Sequence, residues 1–173
     1  MAYDSAYHAL RRTGRERHDC YHDNPRTGLL SSDPSPLQTT TIHFMQIKLS
    51  SLTVTDQEKA LHFYTTVLGF TKQADVSMGA FRWLTVSSPD GVPGVELVLE
   101  PLGFPPAAVF QKARFDAGLP ATAFFTTDIA AEVQRLKAAG VRFRGEPTTM
   151  GPITAVVFDD TCGNLINLVQ PAT

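Results

Sequence analysis

The sequence predicts an α+β fold made of two βαβββ modules, with paired, strongly curved sheets and helices packed outside them. Three observations predict it. A strand-like run, an amphipathic helical stretch and three more strand-like runs follow one another over residues 46–100, and the same order returns over 120–171. The punctuation repeats with it: Asp56 and Asp128, each at a helix start, stand 72 positions apart, and Gly69 and Gly140, each at a helix stop, stand 71 apart. Finally, the chain changes character at Met45. Before it, residues 1–44 hold scattered charges, tyrosines and a Ser/Thr/Pro run with no sustained apolar period, which reads as a disordered extension. Met45 itself is a candidate start. The globular part is expected over 45–173.

The elements follow in order. Ile47–Val54 is rich in apolar and β-branched residues and reads as a strand. Thr55 with Glu58 forms a capping box, and Asp56 adds negative charge at the helix start. Ala60, Phe63, Tyr64, Val67 and Leu68 make the buried stripe of a helix that Gly69 ends. Strands follow at Thr71–Val76, Phe81–Ser87 and Val95–Glu100, and a Pro-rich connector over 101–119 carries a short helix near Ala107–Ala117. The second module has a strand at Ala121–Thr126, a helix begun by Asp128 and closed by Gly140, and strands at Val141–Phe143, Thr154–Phe158 and Leu165–Val169. Either module alone has too little core to be secure, so the two should bury surface together.

Composition narrows the function. Fifteen basic against 17 acidic residues leave a net charge of −2, which gives no electrostatic footprint for nucleic acid and no polybasic membrane patch. No apolar run approaches the roughly 18 residues of a membrane helix. Two cysteines, Cys20 and Cys162, make no disulfide framework, so a cytoplasmic protein with reduced thiols is expected. HExxH, GxSxG, GxxxxGK[ST] and paired CxxC are all missing.

The stretch TVTDQEKALHFYTTVLGF, together with TTDIAAEVQRLKAAGV and the closing DDTCGNLINLVQP, resembles the two modules of the vicinal oxygen chelate superfamily, which includes glyoxalase I, extradiol dioxygenases and bleomycin-resistance proteins. The resemblance covers about Gln46–Pro171. It implies a cup-shaped mixed sheet and frequent pairing as a homodimer. In metal-dependent members each module supplies one ligand from its first strand and one Glu from its last. Carried onto this chain, those four slots fall on Leu49, Glu96, Ala121 and Asn167. Two hydrocarbons, one carboxylate and one neutral amide fall short of the three or four donors a divalent ion needs. The resemblance therefore implies a relative without the family's metal and without another cofactor. His62, the one histidine after residue 44, reads as a helix residue with no partner for metal or triad chemistry.

Strand alternation fills in the site. If Leu52 and Val54 face the core, then Leu49, Ser51 and Thr53 face the cup, as do Glu96, Val98 and Glu100. Ala121, Ala123 and Phe125 share that side in module two, with Leu165, Asn167 and Val169. Leu49, Ser51, Trp83, Glu96, Phe125 and Asn167 are the expected ligand contacts, in a mainly apolar pocket with a few polar points. Glu96 is either a candidate general base with a raised pKa or the partner of Arg82 or another arginine at the rim. Arg82, Arg142 and Arg144 could hold an anion, but most such arginines sit on solvated strand faces. Cys162, Asp159 and Asp160 read as turn residues. Two functions follow: a metal-independent protein that binds a small organic molecule, or a glyoxalase- or dioxygenase-type enzyme whose metal is held by unfamiliar ligands. A filled cup would leave an interaction module instead.

Overall fold

The computed structural model describes residues 45–172, and these contain both expected modules. Module one comprises β1 (Leu49–Val54), α1 (Gln57–His62), β2 (Thr71–Met78), β3 (Phe81–Ser87) and β4 (Glu96–Pro101). A connector helix, α2 (Pro105–Asp116), leads to β5 (Thr122–Phe125), α3 (Ile129–Ala138), β6 (Thr148–Met150), β7 (Ile153–Asp159) and β8 (Leu165–Pro171). The expectations for residues 1–44 and for a start at Met45 lie outside the described residues.

Each module forms its own four-stranded mixed sheet, ordered β1-β4-β3-β2 and β5-β8-β7-β6. The first strand pairs parallel to the last in both, and the remaining pairs are antiparallel. The sheets share no strand pair, and neither closes into a barrel.

Three local expectations are corrected. The first helix is capped by Asp56, whose carboxylate accepts from Glu58 N at 2.9 Å and Lys59 N at 3.0 Å; Thr55 does not cap it. Asp at this position outcompetes the preceding Thr because its charge also favours the helix N-terminus. The α-helix then ends at His62 and widens into a π-turn over Phe63–Val67. That turn buries the neighbouring rings of Phe63 and Tyr64 together. Third, Val141–Phe143 is not a strand. Phe143 makes a single bridge to Phe158, after which Gly145 at φ +112° turns the chain away, and pairing resumes only at β6. Gly69 and Gly140 do end their helices in the left-handed region, at φ +81° and +83°.

The core lies between the modules. Leu52, Val54, Leu84 and Leu99 of module one meet Ile129, Val133, Leu136 and Ile166 of module two in one cluster. Aromatic contacts cross the same boundary, with Phe63–Phe158 centroids 6.5 Å apart and the edge-to-face pair Tyr64–Phe124 6.3 Å apart. Helix α2 is built the other way round: its buried residue is the polar Gln111, while Val109 and Phe110 are exposed. None of the described helices is long and apolar enough to cross a membrane.

Candidate ligand-binding site

The register puts the expected contacts of module one on a single face. Leu49 stands opposite Glu96 in the parallel β1–β4 pair, and Ser51 stands opposite Val98. Thr85 is opposite Val98 in the β3–β4 pair, so Trp83, two residues along β3, shares that side. Leu52, Val54, Leu97 and Leu99 alternate onto the other face and join the core. In module two Asn167 lies between Ala123 and Val157, and Phe125 lies opposite Val169. The two expected contacts of that module therefore also share the face turned from the core. Asn167's register partner is Ala123; Ala121, the expected slot, precedes β5 and donates its N–H to Leu165 O at 2.8 Å.

These open faces carry apolar surface. Val76, Met78 and Phe81 lie with Trp83 and Leu49 on module one, and Phe125 and Met150 on module two; Phe125 is 69% exposed. At the seam Ser51, Thr53, Ala121 and Leu165 line a cavity of about 190 Å³ roofed by Phe110, Gln111 and Arg114 of α2. A shallower cleft of about 410 Å³ opens just past the C-terminal end of β1, between Asp56, Gln57, Phe81 and Arg82.

The charged candidates separate clearly. Arg82 points to the core side of β3, where Nη1 donates to Glu58 at 2.9 Å and Nε lies 3.4 Å from Asp75; it is not the partner of Glu96. Arg142 pairs with Asp159 at 3.0 Å, and Arg144 stacks 4.8 Å from the centroid of the Phe115 ring. Arg82 is thereby turned from the open face, and Arg142 and Arg144 are engaged with Asp159 and Phe115. Glu96 is half-buried, and no described residue bonds its carboxylate. His62 is exposed, with Nδ1 3.3 Å from Thr66 Oγ1.

The turn between β7 and β8 is structural, as its residue types imply. Asp160 Oδ1 accepts from Cys162 N and Asn164 N, each at 2.8 Å, and Asp159 Oδ1 accepts from Thr161 N at 2.7 Å. Burial raises the Asp160 carboxyl above its ordinary range, against the hydrogen bonds that favour its charged form. Burial, with Asp160 nearby, pushes the Cys162 thiol up to about 11, so it is a poor nucleophile at neutral pH.

Sequence reasoning missed Gln111. Its Nε2 donates to Thr53 O at 2.8 Å and Asn164 Oδ1 at 3.2 Å, tying the connector to both modules. A glutamine within an unpatterned helix carries no signal of that role; the glycine opposite it in DTCGN was the available sign.

The fold and face define a two-module βαβββ protein, and comparison with known proteins agrees. The chain matches the Glyoxalase/Bleomycin resistance protein/Dioxygenase superfamily over residues 41–168 and belongs to that family. It is 56% identical over 126 residues to the uncharacterized protein YurT of Bacillus subtilis (strain 168), covering 73% of this chain and 99% of that one. Among solved structures, UcmS2 superposes with a TM-score of 0.64 at 32% identity, over 73% of this chain and 98% of its own. TnmS3, an antibiotic binding protein from Streptomyces sp. CB03234, superposes with a TM-score of 0.59 at 30% identity, over 76% of this chain and 100% of its own.

Proposed function

We propose that this protein binds a small organic molecule on the open faces of its modules, without the family's catalytic metal, and that a second copy of the chain closes the cup. The observation that carries the reading is Leu49 opposite Glu96. In a metal-binding relative both positions of that pair would donate, and here one is hydrocarbon. Ala121 adds no donor and Asn167 adds a neutral amide oxygen. That set does not fit a divalent transition metal, which needs three or four well-placed donors.

What the face does offer is aromatic and aliphatic surface with few polar groups, the usual lining of a small-molecule site. The likeness to TnmS3, described as antibiotic binding, supports the same class of activity. Exposed apolar side chains on both modules are also the surface that a two-fold partner would cover. The buried, free Cys162 suits a reducing, cytoplasmic setting.

The test uses Trp83, the single tryptophan of the chain. Polycyclic aromatic compounds titrated into the purified protein should quench or shift its emission, with metal content well below one ion per chain. Stoichiometric metal retained through purification would overturn the metal-free reading. Absence of any response at Trp83 across the panel would overturn the binding reading. Sedimentation giving only an 18.9 kDa species at micromolar concentration would remove the second copy.

A further inference from the structure

We propose, resting on the binding reading above, that the ligand is a hydrophobic organic cation whose protonated amine sits at the Glu96 carboxylate and whose apolar body lies toward Trp83. Charge bookkeeping across the described residues leads there. Every described lysine and arginine is already engaged: six by carboxylates, three by backbone carbonyls and Arg144 by the Phe115 ring. Glu96 receives none of them, yet it is half-buried beside Leu49 and Val98. A half-buried carboxylate with no basic side chain in ion-pair contact among the described residues is a seat for a ligand cation, whose charge it would pair.

The rest of the face suits the same ligand. The strands contribute no lysine or arginine to the open face of module one, because Arg82 and Lys72 alternate onto the opposite side. An indole face attracts an ammonium or a protonated heterocycle more strongly than any other aromatic side chain does. Glu96 and Trp83 lie on adjacent strands, with buried Thr85 and Val98 as the floor between them. Extending the β3–β4 register places them four residues apart along the strand direction. At about 3.3 Å per residue that offset is roughly 13 Å, part of it spanned by the two side chains themselves. A rigid body of about three fused rings bridges the remainder, whereas a simple alkylamine reaches only one end.

The experiment compares three tricyclic probes of one shape: 9-aminoacridine, a cation at neutral pH; acridine, neutral there; and acridine-9-carboxylate, an anion. Trp83 emission and calorimetry follow binding to the full-length protein at low and high salt. The cation should bind about tenfold more tightly than the neutral probe, and the anion more weakly still. Glu96→Gln should abolish that preference, bringing the cation down to the affinity of acridine for the same variant, and Glu96→Asp should keep it. Added salt should shrink it. Equal affinities for the three probes, or a preference that survives Glu96→Gln, would overturn the cationic ligand while leaving the pocket intact. If none of the probes binds, the binding reading falls together with this one.

Discussion

The Tyr64 hydroxyl donates to Asp160 Oδ2 at 2.9 Å, joining the helical turn of module one to the last turn of module two. Both groups are fully buried. Burial and the neighbouring carboxylate push the Tyr64 phenol well above its ordinary value, so it stays a donor over the working pH range. Asp160 accepts at both oxygens, from Tyr64 and Asn164 on one and from two backbone N–H groups on the other.

Tyr64→Phe removes one donor from that buried carboxylate and leaves the ring packing alone. The expected loss is about 1–3 kcal/mol. Asp160→Asn should cost more, because its NH₂ would point at groups that are themselves donors. Urea denaturation of each variant measures both, and a Tyr64→Phe midpoint equal to wild type would show that the hydrogen bond contributes nothing net.

Cys162 ties stability to alkaline pH. Its thiol is raised from 9.0 to about 11 by burial, so the folded state holds the proton more tightly than the unfolded chain does. That contribution is fully present below pH 9 and is lost as the pH rises through about 11. Cys162→Ala should flatten this limb of a stability–pH curve. Iodoacetamide at pH 8, followed by mass mapping of the Cys162 peptide, should label it about 100-fold more slowly than an ordinary thiol, since about two pH units separate 9.0 from about 11. Rapid labelling of the native protein would contradict the buried setting.

Gly163→Ala should be among the most damaging single-atom additions in the described residues. The glycine sits at φ +98°, and a Cβ there would meet Gln111 Oε1 at 2.7 Å and its Nε2 at 2.9 Å. Strain and displacement of the Gln111 contacts with Thr53 and Asn164 together should cost more than about 2 kcal/mol. Gln111→Ala, which frees the space, should partly rescue the glycine variant in a double-mutant cycle. Purely additive losses would mean the two residues do not communicate.

Metal binding should be recoverable by restoring donors. Leu49→His and Asn167→Glu, combined with either Ala121→His or Ala123→His, supply two imidazoles and, with Glu96, two carboxylates. The register favours Ala123, which stands opposite Asn167. With Ni or Zn the better variant should gain about 5 °C or more in Tm, and wild type should gain none. A wild-type shift would undo the donor argument.

Much of this was readable in the residues. Asp56, Asp128, Gly69 and Gly140 mark helix ends by local chemistry that needs no tertiary context, and both helices were legible from them. Period-two alternation likewise put Leu49, Ser51, Glu96 and Asn167 on the correct face, because each strand has one side in the core. Alternation does not reveal how far a short strand pairs. The expected strand at Val141–Phe143 failed for that reason: Val141 is buried and Phe143 half-buried, but only Phe143 pairs before Gly145 diverts the chain. Nor does local pattern reveal contacts distant in sequence, such as Gln111 with Thr53 or Arg82 with Glu58.

Since β1–β4 and β5–β8 each complete their pairing within one module, neither sheet borrows a strand from the other. What holds the halves together is the apolar core they share and a polar joint beside it, with Tyr64 on Asp160, Gln111 on Asn164, Asn164 on Thr53, and a backbone bond from Thr55 N to Cys162 O. A chain severed after Gly118 would therefore yield two fragments with intact ladders. Their reassociation would turn an internal seam into an ordinary bimolecular equilibrium, and the strength of the joint could be titrated as a Kd, one substitution at a time.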